Sequence, residues 1–179
     1  MKVLGFVGTS GSGKTTVIEQ VVARLADTGL RVGVLKHARH GFDMDRPGKD
    51  SYRVREAGAA QVLVASRERW VLLGEQPDPL EEPSLEQMLR RFDAGTLDLV
   101  LVEGFSHAEY PKIEVYRTAH GKPPRCWPHD PDVIAVATDT PLEGGTVPRL
   151  DVNDSLEVTR FVLNYLALPA VLSAAVEIR

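Results

Sequence analysis

Cysteine is almost missing from the chain. Only Cys126 stands among 179 residues, so no disulfide can form within it, and the sequence suits a reducing compartment. A surplus of positive charge is missing too. The 21 Lys and Arg face 25 Asp and Glu, a net charge of -4. A nonspecific nucleic-acid binder needs the opposite balance to displace counterions, so that class is set aside. Long hydrophobic runs are also lacking. The apolar stretch at residues 3–7 is far shorter than the roughly 20 residues that span a bilayer. It leads into a glycine loop, where a signal peptide would have a small-residue cleavage site. Neither a signal peptide nor a membrane segment is expected. There is no internal repeat and no low-complexity tract. What is present is 43% hydrophobic and 26% charged, an ordinary globular composition with length enough for one substantial core.

The apolar run at residues 3–7 ends at Gly8 and suits a buried parallel strand. Residues 14–28 place Val17, Ile18, Val21, Val22 and Leu25 on one helical face, and Gly29 ends that helix. Residues 31–36 are a second strand. Together they make a β-loop-α-β unit. After a polar, charged segment, a short helix is expected at 50–57. Strands at 61–65 and 69–73 then lie close enough for a hairpin. Residues 77–83 read as a linker rich in proline and acid. Ser84 and Gln87 form a capping box ahead of Leu85, Met88, Leu89 and Phe92. Residues 97–102 are the strongest strand signal, ending at Glu103-Gly104. Further strands are expected at 112–117, 133–137 and near Leu150. Residues 120–131 hold four prolines and read as irregular. Asp154 and Glu157 mark a last helix, which runs to about Leu168 and stops at Pro169. Strands alternating with helices predict an α/β fold, with a mostly parallel central sheet flanked by helices and a β-hairpin extension.

Residues 8–15, Gly8-Thr9-Ser10-Gly11-Ser12-Gly13-Lys14-Thr15, match G-x-x-x-x-G-K-[ST] without a mismatch. The glycines let the backbone curl so that successive N–H groups point inward. Those amides and the start of the next helix form a site for phosphate oxygens. Lys14 is expected at the β- and γ-phosphates, the Thr15 hydroxyl on magnesium, and Thr16 at the α-phosphate. The loop lies between a buried strand and an amphipathic helix, as this chemistry requires.

Such a loop needs a carboxylate at the end of a neighbouring strand to hold the metal. Glu103 leaves the sheet at the edge where ligands sit in open α/β folds; Asp98 lies at the opposite end of its strand. The segment 36–51 leaves the same edge and could reach the γ-phosphate as a switch loop does. In it Asp43 and Asp45 alternate, and either can ligate magnesium or orient an attacking water. The expected site includes Asp45 with Lys14 as its catalytic pair, and Asp45 with Thr15 and Glu103 around the metal. His37 and His40 are a weak pair for a transition metal. Asp139, ending a late strand, can accept two hydrogen bonds from guanine that adenine cannot donate. The Asn-Lys-x-Asp motif of many GTP-binding proteins is absent. A small-molecule kinase could use the same P-loop, but Arg53 and Arg55 are the only suggestion of the arginine-rich lid it needs. A metallochaperone GTPase built on His37 and His40 is the third alternative.

Together the loop at 8–16, the run Lys36-His37, the run from Phe42 to Ser51 with its Pro-Gly-Lys-Asp-Ser core, Ala57-Gly58-Ala59, and the stretch from Asp98 to Phe105 resemble one family. This is the molybdopterin-guanine dinucleotide biosynthesis protein B (MobB) family of the P-loop GTPase superfamily, and the resemblance extends to about residue 168. It implies a cytoplasmic, dimeric GTP-binding protein with weak GTPase activity. By that implication it works with magnesium and assists the guanylyltransferase that joins GMP to molybdopterin, as adaptor or GTP supplier. Its partners would be GTP, a second copy of the chain, that enzyme and molybdopterin. Residues 1–168 would form a single nucleotide-binding domain with 61–73 as a dimerising β extension, and 169–179 a tail. The family commonly follows Glu-Gly-Phe with a lysine. Here Ser106 takes that place and Lys112 lies a few positions on.

Overall fold

The computed structural model describes residues 1–38, 41–42, 44–76, 78, 81–142, 145 and 147–168. The expected tail at 169–179 lies outside them, as do Asp43 and His40. The described chain forms two compact units, one made of Met1–His37 and the chain from Leu85 onward, the other of Ala38–Ser84.

The first unit is built on six strands: β1 (Lys2–Val7), β2 (Val32–Lys36), β5 (Leu99–Glu103), β6 (Lys112–Tyr116), β7 (Val133–Thr138) and β8 (Arg149–Asp151). Their order is β2-β5-β1-β6-β7-β8, and every pairing is parallel. This is the expected fold class. Parallel sheets need cover on both faces, which is why these strands read as continuous apolar runs. On one face Leu4, Phe6, Leu101, Ile113, Val115 and Ala137 pack against α1 (Lys14–Asp27) and α4 (Ser155–Tyr165). Val17, Ile18, Val21 and Leu25 are the buried stripe of α1. Phe6 and Leu4 are wholly buried, each contributing on the order of 2–3 kcal/mol. On the other face Val7, Val133 and Val136 gather around Cys126. Val100 and Val102 gather around Tyr110, with Leu85 and Leu89 of α3 (Leu85–Leu89) packed beside them.

The helix ends follow the local sequence. Helix α1 stops at Gly29, where φ is 84°; the Gly29 N–H donates to the Ala26 carbonyl at 2.8 Å and the Leu30 N–H to that of Leu25 at 3.3 Å. At the start of α4 the Asp154 carboxylate accepts from the Leu156 and Glu157 amides, and Glu157 accepts from the Asp151 N–H at 2.8 Å. Helix α3 is shorter than its apolar periodicity suggests. From Arg91 to Phe92 the chain tightens into turns, the Arg91 N–H donating to the Met88 carbonyl at 3.1 Å and the Phe92 N–H to that of Leu89 at 3.2 Å.

The second unit contains α2 (Asp50–Glu56), β3 (Gln61–Ala65) and β4 (Trp70–Gly74). The two strands pair antiparallel, with Leu63 opposite Leu72 and Ala65 opposite Trp70. The expected hairpin is present.

Candidate functional site

The loop at 8–15 joins β1 to α1 as its pattern requires. Gly8 has φ 134°, and a Cβ there would lie 2.3 Å from the Val115 carbonyl oxygen of neighbouring β6. Only glycine lets the chain turn against that strand. Gly13 caps α1 in the left-handed region, and no side chain bonds the first amides of the helix. Those N–H groups are thus left for a ligand, and the helix dipole favours an anion there. Ser12 is wholly buried, and no described group hydrogen-bonds its Oγ. These donors suit phosphate oxygens, which accept several hydrogen bonds at once.

The Lys14 ammonium donates to the Gly8 carbonyl at 3.1 Å and to that of Thr9 at 2.7 Å. Partial burial holds its pKa below the ordinary lysine value. Glu103 opposes that shift, and the positive charges of Lys36 and Arg125 add to it. The Thr15 hydroxyl donates to the Glu103 carboxylate, at 3.0 Å to Oε2 and 3.1 Å to Oε1. β5 lies beside β1 with Phe6 opposite Glu103, and this register brings the strand-end carboxylate to the loop. A hydroxyl and a carboxylate at this spacing are hard oxygen donors of the kind magnesium takes together with phosphate and water. The residues present therefore fit a magnesium-bound phosphate. Lys36 joins them: its Nζ lies 3.1 Å from Glu103 Oε2 and 3.2 Å from Thr15 Oγ1. Lys36 opens the segment 36–51 expected to reach the γ-phosphate, and the β2–β5 register sets it opposite Glu103.

Across the same edge of the sheet lies Asp139, just past β7. Its Oδ1 accepts from the Thr118 N–H at 3.2 Å and from the Thr118 hydroxyl at 3.0 Å. The Thr118 amide, above all, holds this carboxyl below the usual carboxylate range, with the Thr118 hydroxyl and Arg117 adding to it. Arg117 Nη1 is 3.9 Å from Asp139 Oδ2 and donates to Asn153 Oδ1 at 2.9 Å. A Cβ on Gly13 would lie 3.4 Å from Arg117 Nε. Arg117 thus links the end of the phosphate loop to Asp139. Neither Arg117 nor Asn153 was singled out from the sequence.

Other expected residues fall elsewhere. Asp45 belongs to the second unit. Its carboxylate, 7% exposed, lies 3.7 Å from Arg55 Nε and accepts from the Ser51 hydroxyl at 2.9 Å. His37 stacks on Phe105 with ring centroids 4.6 Å apart. Among the described residues, no three His, Cys, Asp or Glu side chains gather as a metal site. Lys112 is 1% exposed; its ammonium is tied to Asp130 at 2.9 Å and to the Ala108 carbonyl at 2.7 Å, so it braces the loop around Ser106. Glu114, wholly buried, accepts from the amides of Arg125, Cys126 and Trp127. A charge inside the apolar run of β6 was the available signal for that anchor. Among the described residues no helix is long and apolar enough to cross a membrane.

Known proteins place this geometry in a family. The family model described as MobB, molybdopterin guanine dinucleotide synthesis protein B, matches residues 3–139. The chain is 45% identical over 163 residues to the molybdopterin-guanine dinucleotide biosynthesis adapter protein of Escherichia coli (strain K12), covering 91% of this chain and 92% of that one. It is 43% identical over 166 residues to the protein of the same name from Haemophilus influenzae, covering 91% and 88%. The X-ray crystal structure of a MobB protein homolog from Bacillus stearothermophilus matches with a TM-score of 0.68 at 27% identity, covering 94% of this chain and all (100%) of that one. Sequence, fold and phosphate loop agree, and the chain belongs to the molybdopterin guanine dinucleotide synthesis protein B family.

Proposed function

We propose that this chain is an adapter protein of molybdopterin guanine dinucleotide biosynthesis that binds GTP with magnesium through residues 8–16. The observation that carries the reading is the meeting of Thr15 with Glu103 at the mouth of the P-loop, in a chain closely similar to proteins named as adapters of that pathway. Lys14, the loop amides and the Ser12 hydroxyl bind the β- and γ-phosphates, and Thr16 lies at the α-phosphate. Thr15 and Glu103 hold the magnesium, which when bound offsets charge on the phosphates. Asp139 reads the guanine edge.

Hydrolysis on this reading is slow. Lys14 and the loop amides supply charge and position, the main sources of catalysis in phosphoryl transfer. Turnover stays slow on this reading unless a partner completes the site. In the cytoplasm, the chain would assist the guanylyltransferase that joins GMP to molybdopterin. The hairpin of β3 and β4 would join two copies of it.

The nucleotide choice is tested at Asp139. Calorimetry with GTP and with ATP, both with magnesium, should show GTP bound at least about tenfold more tightly by the wild type, because a carboxylate paired with the two guanine donors loses both partners when adenine takes their place. Asp139→Asn should lose most of that ratio. A wild type indifferent to the base, or an Asn variant with selectivity intact, removes Asp139 and the guanine assignment.

A further inference from the structure

Lys36 ends β2, directly opposite Glu103 in the β2–β5 register. Its backbone is therefore fixed beside that carboxylate, while its side chain is 55% exposed and free to swing. Its ammonium touches both oxygens proposed for the metal, Glu103 Oε2 at 3.1 Å and Thr15 Oγ1 at 3.2 Å. Those two oxygens are themselves 3.0 Å apart. A magnesium ion takes oxygens at about 2.0–2.1 Å, so one seated on this pair would lie against the ammonium. A dication and an ammonium in contact repel strongly. The two cations exclude each other from the pair.

We propose that Lys36 is a positioning residue that competes with magnesium for Thr15 and Glu103 and passes to the triphosphate when the metal arrives. This rests on the P-loop reading above. The exchange needs no backbone motion: a lysine has a flexible four-carbon stem and three donors it can redirect. The nearest new anion is the triphosphate itself, held at Lys14 one loop away. While Lys36 stays on Glu103, it shields the phosphates from that carboxylate. The protein therefore accepts nucleotide without metal better than a P-loop with a bare carboxylate at its mouth. Lys36 thus sets how strongly nucleotide binding depends on magnesium.

The test is the ratio of the GTP dissociation constant in EDTA to that in saturating magnesium, read with a fluorescent GTP analogue. Removing the ammonium in Lys36→Met should raise this ratio at least about tenfold over wild type, because the bare carboxylate then repels metal-free nucleotide. Lys36→Arg keeps the cation and should restore the ratio toward wild type. A purely structural role would weaken both constants together and leave the ratio unmoved, and that outcome overturns the proposal. A wild type that binds no GTP in either buffer sinks the P-loop reading and this inference with it. A wild type that binds, beside a Met variant of unchanged ratio, sinks only Lys36.

Discussion

At the scale of the residue, close contacts decide what each position tolerates. Gly5, inside β1, shows this. A Cβ there would lie 2.5 Å from Tyr110 Cε2 and 2.7 Å from the Tyr110 hydroxyl oxygen. Tyr110 cannot move away freely: its hydroxyl donates to the Gly104 carbonyl at 2.6 Å, and burial pushes its phenol well above the ordinary tyrosine pKa. Gly5→Ala should therefore cost about 1–3 kcal/mol in urea unfolding, the usual range for overpacking. A variant as stable as wild type would mean that the ring yields. Nothing in the run Val3 to Val7 reveals this glycine's role, because its partner lies far along the chain. The P-loop was legible because its chemistry is local: eight consecutive residues carry the whole pattern. Glu103 was legible because a carboxylate at a strand end needs only the strand to be recognised. The contact of Lys36 with Glu103 and the places of Arg117 and Asn153 leave no local pattern, because they depend on which strands become neighbours. The charge of Lys14 also has a cost. Burial holds its folded pKa below the ordinary lysine value, so protonated Lys14 destabilises the fold at neutral pH. That cost disappears as pH rises from the folded value through the unfolded one.

At the scale of the element, the hairpin of β3 and β4 differs most from the rest. Pairing puts Leu63, Ala65, Trp70 and Leu72 on one face. Leu63 is 63% exposed, Trp70 69% and Leu72 42%. A two-stranded hairpin is marginal in water without something packed on it, and an apolar face of this kind marks an interaction surface. A second copy is the partner on the reading above. Leu63→Glu replaces an apolar contact worth on the order of 2 kcal/mol per copy with a charge. The dimer dissociation constant should rise at least about a hundredfold in sedimentation equilibrium. An unaffected dimer would place the interface elsewhere. The alternation of 61–65 and 69–73 makes the hairpin legible, while which side chains meet across it depends on pairing register. Residues 120–131 read as irregular for their prolines, yet Glu114 ties the segment to β6 through three backbone amides. That tie crosses between elements, and no local pattern records it.

At the scale of the whole molecule, strand order makes the site. The sequence of strands along the sheet, β2-β5-β1-β6-β7-β8, sets Lys36, Glu103, the phosphate loop, Arg117, Asp139 and Asn153 along one edge. Alternating strands and helices made the α/β class legible. The order itself was not, because parallel neighbours are joined by long crossovers that leave no local trace. On the function proposed above, this edge binds the triphosphate of GTP through Lys14. The most direct measurement is calorimetric titration of wild type and Lys14→Ala with GTP and magnesium, with circular dichroism to confirm that the variant folds. Saturable one-site binding to wild type is expected, with affinity lowered at least about a hundredfold in the folded variant, the weight of two charged hydrogen bonds. A folded Lys14→Ala protein that binds GTP as tightly as wild type would contradict the account.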